Sequence, residues 1–137
     1  KQMCKEEELQ DRVLFFEKMP YQKMMQYTYH VDLGLALDKP VCLNYKLALP
    51  NKVFDYLHAG TPILCTKLDE IEKLVLRYKI GFVIDELTIN ALIEKINMIL
   101  SNPEKLEEMK ENCKLAAGAE NWENELFSLK KIYKSDG

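Results

Sequence analysis

The chain has 137 residues, of which 47% are hydrophobic and 30% charged, and its formal net charge is −3. This length suits a single hydrophobic core, and the composition is that of an ordinary globular domain. The slightly acidic balance argues against a nucleic-acid surface, because such a surface needs clustered Lys and Arg. No apolar run approaches the roughly 20 residues of a membrane-spanning helix, and the first residues show no signal-peptide pattern.

The cysteine pattern argues against a zinc site and against a disulfide framework. The four cysteines lie far apart in the sequence: Cys4, Cys42, Cys65 and Cys113. They form no Cys-x-x-Cys pair, and neither of the two histidines lies next to one of them, whereas zinc sites use ligands at short spacing. We therefore expect thiols in a reducing compartment and a cytoplasmic location.

Short apolar runs alternate with segments of helical pattern along the chain. The apolar runs predict four strands, at 12–16, 31–37, 61–66 and 80–84. Apolar spacing and capping residues predict helices at about 21–30, 52–59, 69–78 and 89–100, another from 103 onward, and a last one at about 122–133. This alternation predicts an α/β fold with a mostly parallel sheet.

The segment around residue 51 is the strongest candidate for a binding site. Asn51 is a good N-cap and Gly60 a good C′ residue for a helix over Lys52–Ala59. Ligands of open α/β sheets bind near helix N-termini, outside the carboxyl ends of the strands. Free backbone N–H groups at Asn51, Lys52 and Val53 would form an anion site there, and Lys52 would add a positive charge.

Asp55 lies one helical turn beyond this N-terminus. From that position its carboxylate could accept two hydrogen bonds from a vicinal diol such as a ribose. The alternative is a structural role, since the helix macrodipole favours a carboxylate near the N-terminus. The spacing leaves both interpretations open.

No other pattern predicts chemistry. The acidic stretches 69–72 and 104–111 are interleaved with lysines at i,i+3 or i,i+4 spacing, which is typical of solvated helix faces. The sequence contains no glycine-rich phosphate loop, and no nucleophile–histidine arrangement can be singled out. We therefore predict neither a metal ion nor a cofactor, and no catalytic residue is identified.

The stretch from Pro50 to Leu64 (PNKVFDYLHAGTPIL) resembles a known family. It is similar to the C-terminal, nucleotide-sugar-binding half of retaining GT-B glycosyltransferases of group 1 type, whose pattern there is Pro-Asn/Ser-Lys, Glu-Tyr and Gly-x-Pro-Val-Ile. Weaker likenesses follow the family order over roughly residues 12–133: Val13–Phe16 with Pro20-Tyr21, Tyr29–Ala36, Ile80–Val83, and Trp122-Glu123 with Tyr133. The resemblance implies a partial Rossmann-like parallel sheet of about four strands with flanking helices, the C-terminal part of a GT-B domain.

The resemblance also implies roles for individual residues. Asp55 falls on the family's ribose-binding Glu, with a side chain one methylene shorter, and Asn51, Lys52 and Val53 fall at the helix start near the donor diphosphate. Met19, Pro20 and Tyr21 fall where the backbone borders the nucleobase. Leu47, Ala48 and Leu49 fall on the loop that faces the transferred sugar.

Two departures from the family pattern affect these expectations. Many relatives carry a second Glu eight positions before the ribose carboxylate, and that position here is Leu47. The family's basic pair that grips the pyrophosphate has no matching segment in the chain. We therefore expect a single N-terminally truncated donor-binding domain, with residues 1–11 as the tail of a preceding helix, 12–117 as the α/β core and 118–137 as a closing helix.

The function that the resemblance implies is the binding of a nucleotide diphosphate sugar by a hexosyltransferase-type enzyme of polysaccharide biosynthesis. The expected full-length protein is cytoplasmic, with an expected peripheral contact at the inner membrane face, and includes an acceptor-binding N-terminal domain. The 137-residue chain alone is expected to be inactive and to self-associate through an exposed sheet edge. Two alternatives stay open, namely a nucleotide-sugar epimerase of the same fold and a non-enzymatic α/β interaction module.

Overall fold

The computed structural model describes residues 2–39 and 50–120. Within these ranges three strands alternate with helices. The strands are β1 (Gly34–Ala36), β2 (Ile63–Thr66) and β3 (Gly81–Ile84). The helices are α1 (Gln2–Glu6), α2 (Tyr21–Thr28), α3 (Asn51–Ala59), α4 (Asp69–Tyr78), α5 (Ile89–Leu100) and α6 (Pro103–Ala119).

The sheet is parallel and has the order β1-β2-β3. Its register pairs Gly34 with Ile63 and Ile63 with Gly81. All four residues of β2 are buried, as expected for a central parallel strand that is covered on both faces. The α/β fold with a parallel sheet and flanking helices is therefore confirmed, with three strands in the described ranges.

The strand predicted at 12–16 is wrong. After α1 the chain continues in turns, and the N–H of Val13 donates to the carbonyl of Leu9 at 2.9 Å. No described strand runs beside this segment, and Leu14 and Phe16 are 72% and 56% exposed. A β-rich run without a neighbouring strand cannot satisfy its peptide groups by pairing, so local propensity alone does not make it a strand.

Two apolar clusters hold the helices against the sheet. Val53 and Leu57 of α3 are fully buried in the first cluster, and Ile99 of α5 belongs to the second. The first cluster also contains residues of the sheet, of α4 and of α6, and of the positions next to them: Ala36, Ile63, Cys65, Leu68, Ile71, Leu74, Val75, Ile80, Cys113 and Ala116. Helix α3 is thus fixed by its apolar face, and its polar face is left for the site.

The C-terminus of α3 is where the sequence predicts it, and the N-terminus is shifted by one residue. Gly60 adopts the left-handed conformation with φ 70°, and the N–H of Thr61 donates to the carbonyl of Tyr56 at 2.9 Å, as in a glycine-terminated helix. The N-cap is Pro50 (φ −68°, ψ 144°) and not Asn51, which is the first helical residue. The ring of Pro50 fixes a φ suited to the extended cap position, so the helix begins one residue earlier than predicted.

Helix α6 begins as predicted and extends beyond the predicted core boundary. The side chain of Asn102 accepts a hydrogen bond from the N–H of Lys105 at 3.0 Å, and Pro103 occupies the first turn. The helix continues through Gly118 to Ala119. The remainder of the predicted closing helix, including Trp122 and Tyr133, lies outside the described residues.

Two of the cysteines are buried within the fold. Burial raises the pKa of Cys65 and of Cys113 to about 12, and Cys4, Cys65 and Cys113 are free thiols in the described part of the chain. Among residues 2–39 and 50–120, no helix has the length and apolar character needed to cross a bilayer.

Candidate functional site

The carboxyl end of the sheet and the N-terminus of α3 meet around Asp38, which follows β1. The hydroxyl of Thr66, the last residue of β2, donates to the carbonyl oxygen of Asp38 at 2.6 Å. The Nζ atom of Lys52 lies 2.7 Å from Oδ2 of Asp38. The start of α3 is therefore tied to the end of the sheet where ligands of such folds bind.

The Asp38 carboxylate balances the charge of Lys52. An ammonium group has three donors, so the ion pair leaves Lys52 able to donate to a second acceptor, and its side chain is 40% exposed. Asp38 was not predicted from the sequence, although an acidic residue directly after a predicted strand was a usable signal. The sign of the charge at this helix start thus depends on both residues.

The three residues predicted to form an anion site are not equivalent. The N–H of Val53 donates to the carbonyl of Pro50 at 2.9 Å, and the side chain of Val53 is fully buried. The expectation that this N–H is free is therefore wrong, because the first helical turn closes onto Pro50. Asn51 is exposed and Lys52 half-buried, and both residues come before Val53, whose N–H makes the bond to Pro50.

Asp55 is joined to Tyr21, a residue predicted separately for the nucleobase region. The phenolic O–H of Tyr21 donates to Oδ1 of Asp55 at 2.8 Å, across 34 positions of sequence. Tyr21 begins α2, which packs against α3. The structure therefore brings the ribose candidate and the nucleobase candidate into direct contact.

The geometry weakens the purely electrostatic alternative for Asp55. Asp55 is the fifth residue of α3, and the first turn contains no acidic residue. The macrodipole effect falls off within the first turn. Contact with Tyr21 is a better account of this carboxylate than attraction to the helix terminus.

The Tyr21 phenol is held in its protonated form. Its hydrogen bond to Asp55 raises the pKa of Tyr21 above its ordinary value of 10.0, and partial burial and the negative charge of Asp55 act in the same direction. An ionised phenol beside a carboxylate would lose the bond and suffer repulsion. Tyr21 therefore remains a hydrogen-bond donor throughout the neutral range.

An apolar groove of about 610 Å³ opens beside the segment predicted for the nucleobase. Met19 lines it together with Phe16, Tyr27 and Leu35, and the rings of Phe16 and Tyr27 have centroids 4.6 Å apart. Pro20, between Met19 and Tyr21, is the N-cap of α2. Leu47, Ala48 and Leu49, predicted for the sugar-facing loop, lie outside the described residues.

In the described ranges, no group of three or more His, Cys, Asp or Glu side chains is arranged to hold a metal ion. The acidic stretches pair with neighbouring lysines instead. Lys73 lies 2.6 Å from Glu70, and Lys105 lies 2.7 Å from Glu108. These pairs are solvated helix faces, as their spacing predicted.

Comparison with known families places the chain. The sequence model described as "Glycosyl transferases group 1" matches residues 1–116. The chain belongs to the glycosyl transferases group 1 family. The comparison with curated proteins gave no match.

A solved structure supports the same fold for this glycosyl transferases group 1 chain. Sucrose-phosphate synthase from Thermosynechococcus elongatus superposes with a TM-score of 0.74 at 19% sequence identity. The match covers 98% of this chain and 32% of that chain. The chain thus spans about a third of the length of the structure that it matches, and the likeness shows a GT-B Rossmann-like α/β fold.

Proposed function

We propose that the chain is the donor-binding part of a glycosyltransferase, which moves a sugar from a nucleotide diphosphate sugar to an acceptor. The observation that carries this proposal is the position of Asp55. Its half-buried carboxylate lies on α3, one turn from the N-terminus that meets the carboxyl end of the sheet. Family membership supports the reaction class.

The base, the ribose and the diphosphate of the donor each have a counterpart in this arrangement. Asp55 accepts hydrogen bonds from the ribose hydroxyls, and the base lies toward Met19, Pro20 and Tyr21 beside the apolar groove. The diphosphate lies at the start of α3, where the positive end of the helix dipole favours anions. Lys52 contributes a donor there that its pairing with Asp38 does not use up.

We propose that the acceptor-binding groups belong to another domain of the full-length protein. Retaining transfer in a two-domain fold takes place in the cleft between the domains, and the chain spans 32% of the structure that it matches. The chain alone then binds the donor without turning it over. Sugar transfer by the purified chain would contradict this division of labour.

Calorimetric titration with uridine, guanosine and adenosine diphosphates tests the proposal. Hydrogen bonds to a charged group contribute about 1.5–3 kcal/mol. Asp55→Ala should therefore lower the affinity for whichever nucleotide binds the parent chain by at least about tenfold. Glu107→Ala is the matched control, since it removes an exposed acidic side chain from α6, whose Lys110 contacts Asp32 at the amino end of the sheet, away from the site. It should leave the affinity unchanged.

Two results would contradict the proposed function. Equal binding by the parent chain and Asp55→Ala would mean that Asp55 serves only the packing of α2 and α3. Failure of all three nucleotides to bind the parent chain would favour the non-enzymatic α/β module.

We also propose that the edge of β1 that no described strand pairs lets two copies of the chain associate. The N–H of Gly34 donates to the carbonyl of Pro62 in the direction of β2, so the peptide groups of Leu35 face the opposite edge, by the alternation along a strand. The Leu35 carbonyl accepts from the Tyr56 hydroxyl at 3.4 Å there, and a carbonyl oxygen has a second lone pair for a partner chain. Leu35 is 39% exposed, and apolar side chains around Phe16 are exposed nearby. Such an edge is a template for pairing with another chain.

Light scattering of the chain at a concentration of tens of micromolar should therefore give a mass above that of the monomer. Leu35→Lys should return it to the monomer mass, because a charge on an edge strand opposes pairing. Leu115→Lys places the same charge on an exposed leucine of α6, 75% accessible, and should leave the mass unchanged. A monomer mass for the parent chain would overturn the proposed association.

For location, we propose the cytoplasm, with any contact at the inner membrane face made by other parts of the full-length protein. The free thiols Cys4, Cys65 and Cys113 support a reducing compartment.

A further inference from the structure

The bond between Tyr21 and Asp55 leaves acceptor capacity on both side chains. The phenol uses its single O–H to donate to Oδ1 of Asp55 at 2.8 Å, and its oxygen keeps lone pairs that can accept. The carboxylate keeps Oδ2 and further lone pairs on Oδ1. Two oxygens from two helices therefore lie side by side, each able to accept from a hydroxyl group.

The exposure of these groups suits a ligand better than a buried structural tie. Tyr21 is 59% exposed and Asp55 is half-buried, so a ligand can approach the pair from solvent. A hydrogen bond between exposed side chains contributes little to stability, because water competes for both partners. Contacts other than this hydrogen bond must therefore hold α2 against the rest of the fold.

Other contacts hold α2 in place without Tyr21. The hydroxyl of Thr61, which is 1% exposed, donates to the carbonyl oxygen of Thr28 at 3.0 Å, at the far end of α2. Met25, in the middle of the helix, is 7% exposed and belongs to the core. The position of the Tyr21 phenol is thus a result of the docking of α2 and is not its cause.

We propose that Tyr21 and Asp55 together recognise the ribose diol, with the Tyr21 oxygen accepting from one hydroxyl and Asp55 Oδ2 accepting from the other. This inference rests on the proposed function, which assigns the ribose to Asp55. It adds a second ribose-binding residue, on a different helix. Tyr21 also restricts the rotamer of the Asp55 carboxylate through the bond to Oδ1.

The proposal makes ribose discrimination depend on the phenolic oxygen. When each hydroxyl has its own acceptor, a nucleotide that lacks one hydroxyl loses one bond and keeps the other. The parent chain should therefore bind ribonucleoside diphosphates about tenfold more tightly than the deoxy form that lacks the hydroxyl facing Tyr21.

The test is a calorimetric comparison of uridine, guanosine and adenosine diphosphates with their 2′-deoxy and 3′-deoxy counterparts. Tyr21→Phe should weaken binding of the ribonucleotide by about tenfold or more and abolish the preference over one of the two deoxy forms. Tyr29→Phe is the matched control, because it removes the hydroxyl of another tyrosine, 57% exposed. It should change neither affinity nor preference.

Two further measurements separate this inference from a packing effect and from failure of the proposed function. The thermal midpoint of Tyr21→Phe without nucleotide should equal that of Tyr29→Phe, and Tyr21→Phe should have a smaller effect in an Asp55→Ala background than alone. If Asp55→Ala weakens binding and Tyr21→Phe leaves the ribose preference intact, the inference is wrong and the proposed function stands. If Asp55→Ala has no effect, or no nucleotide binds, both are wrong.

Discussion

Gly81→Ala is expected to destabilise the chain strongly, far more than the addition of the same methyl group at Gly118. A Cβ atom at residue 81 would overlap the carbonyl oxygen of Ile63 and lie within 3 Å of two further backbone atoms of that residue. Gly81 pairs with Ile63 where β3 begins, so the contact cannot be relieved by a side-chain rotation. The two strands would have to separate at the amino end of the sheet.

Overpacking of a core typically costs about 1–3 kcal/mol, and a clash with backbone belongs at or above the upper end of that range. Against a total stability of about 5–15 kcal/mol, Gly81→Ala should lower the urea midpoint strongly or prevent folding. Gly118→Ala is the matched control, because an added Cβ there meets no atom of the described residues within 4 Å and Gly118 lies in α6. It should be neutral or stabilising by up to about 1 kcal/mol. Equal unfolding midpoints for the two variants would refute the packing argument.

The second large effect is expected for Leu57→Ala. Leu57 is fully buried and anchors α3 in the first apolar cluster. Truncation of a buried leucine to alanine costs about 2–5 kcal/mol, because the lost transfer free energy is added to that of the cavity. Chemical unfolding should show this loss.

The control for Leu57→Ala is Leu76→Ala. Leu76 lies on α4 and is 59% exposed, so its truncation should change stability by less than about 0.5 kcal/mol. If Leu76→Ala lost as much stability as Leu57→Ala, the exposed fraction of a side chain would not identify the core of this chain. The packing scheme would then be wrong.

Local signals explain which parts of the fold were predictable from the sequence. Gly60 ends α3 through a backbone conformation that glycine adopts easily, and Asn102 caps α6 through a bond to a residue three positions away. Both features involve only neighbours in sequence, and both were predicted. Pro50 shifted the start of α3 by one residue, because its fixed φ competes with Asn51 for the cap.

Contacts between distant residues explain what was not predictable. The 12–16 run has strand-like residues, but a strand also needs a partner, which composition does not supply. The hydrogen bond from Tyr21 to Asp55 spans 34 positions and two helices, and no spacing rule links such residues. The family resemblance placed both residues near one ligand, and the structure shows that the two side chains are hydrogen-bonded to each other.

The double attachment of α2, through Met25 and the Thr61–Thr28 bond, has a consequence for the thermodynamics of ligand binding. Tyr21 and Asp55 have restricted rotamers before any ligand arrives, because each already bonds the other. A ligand that engages them loses less side-chain entropy than one that must order two mobile groups. Preorganisation at this pair therefore favours affinity through entropy saved on association, and the nucleotide-free site should already have the geometry of the bound one.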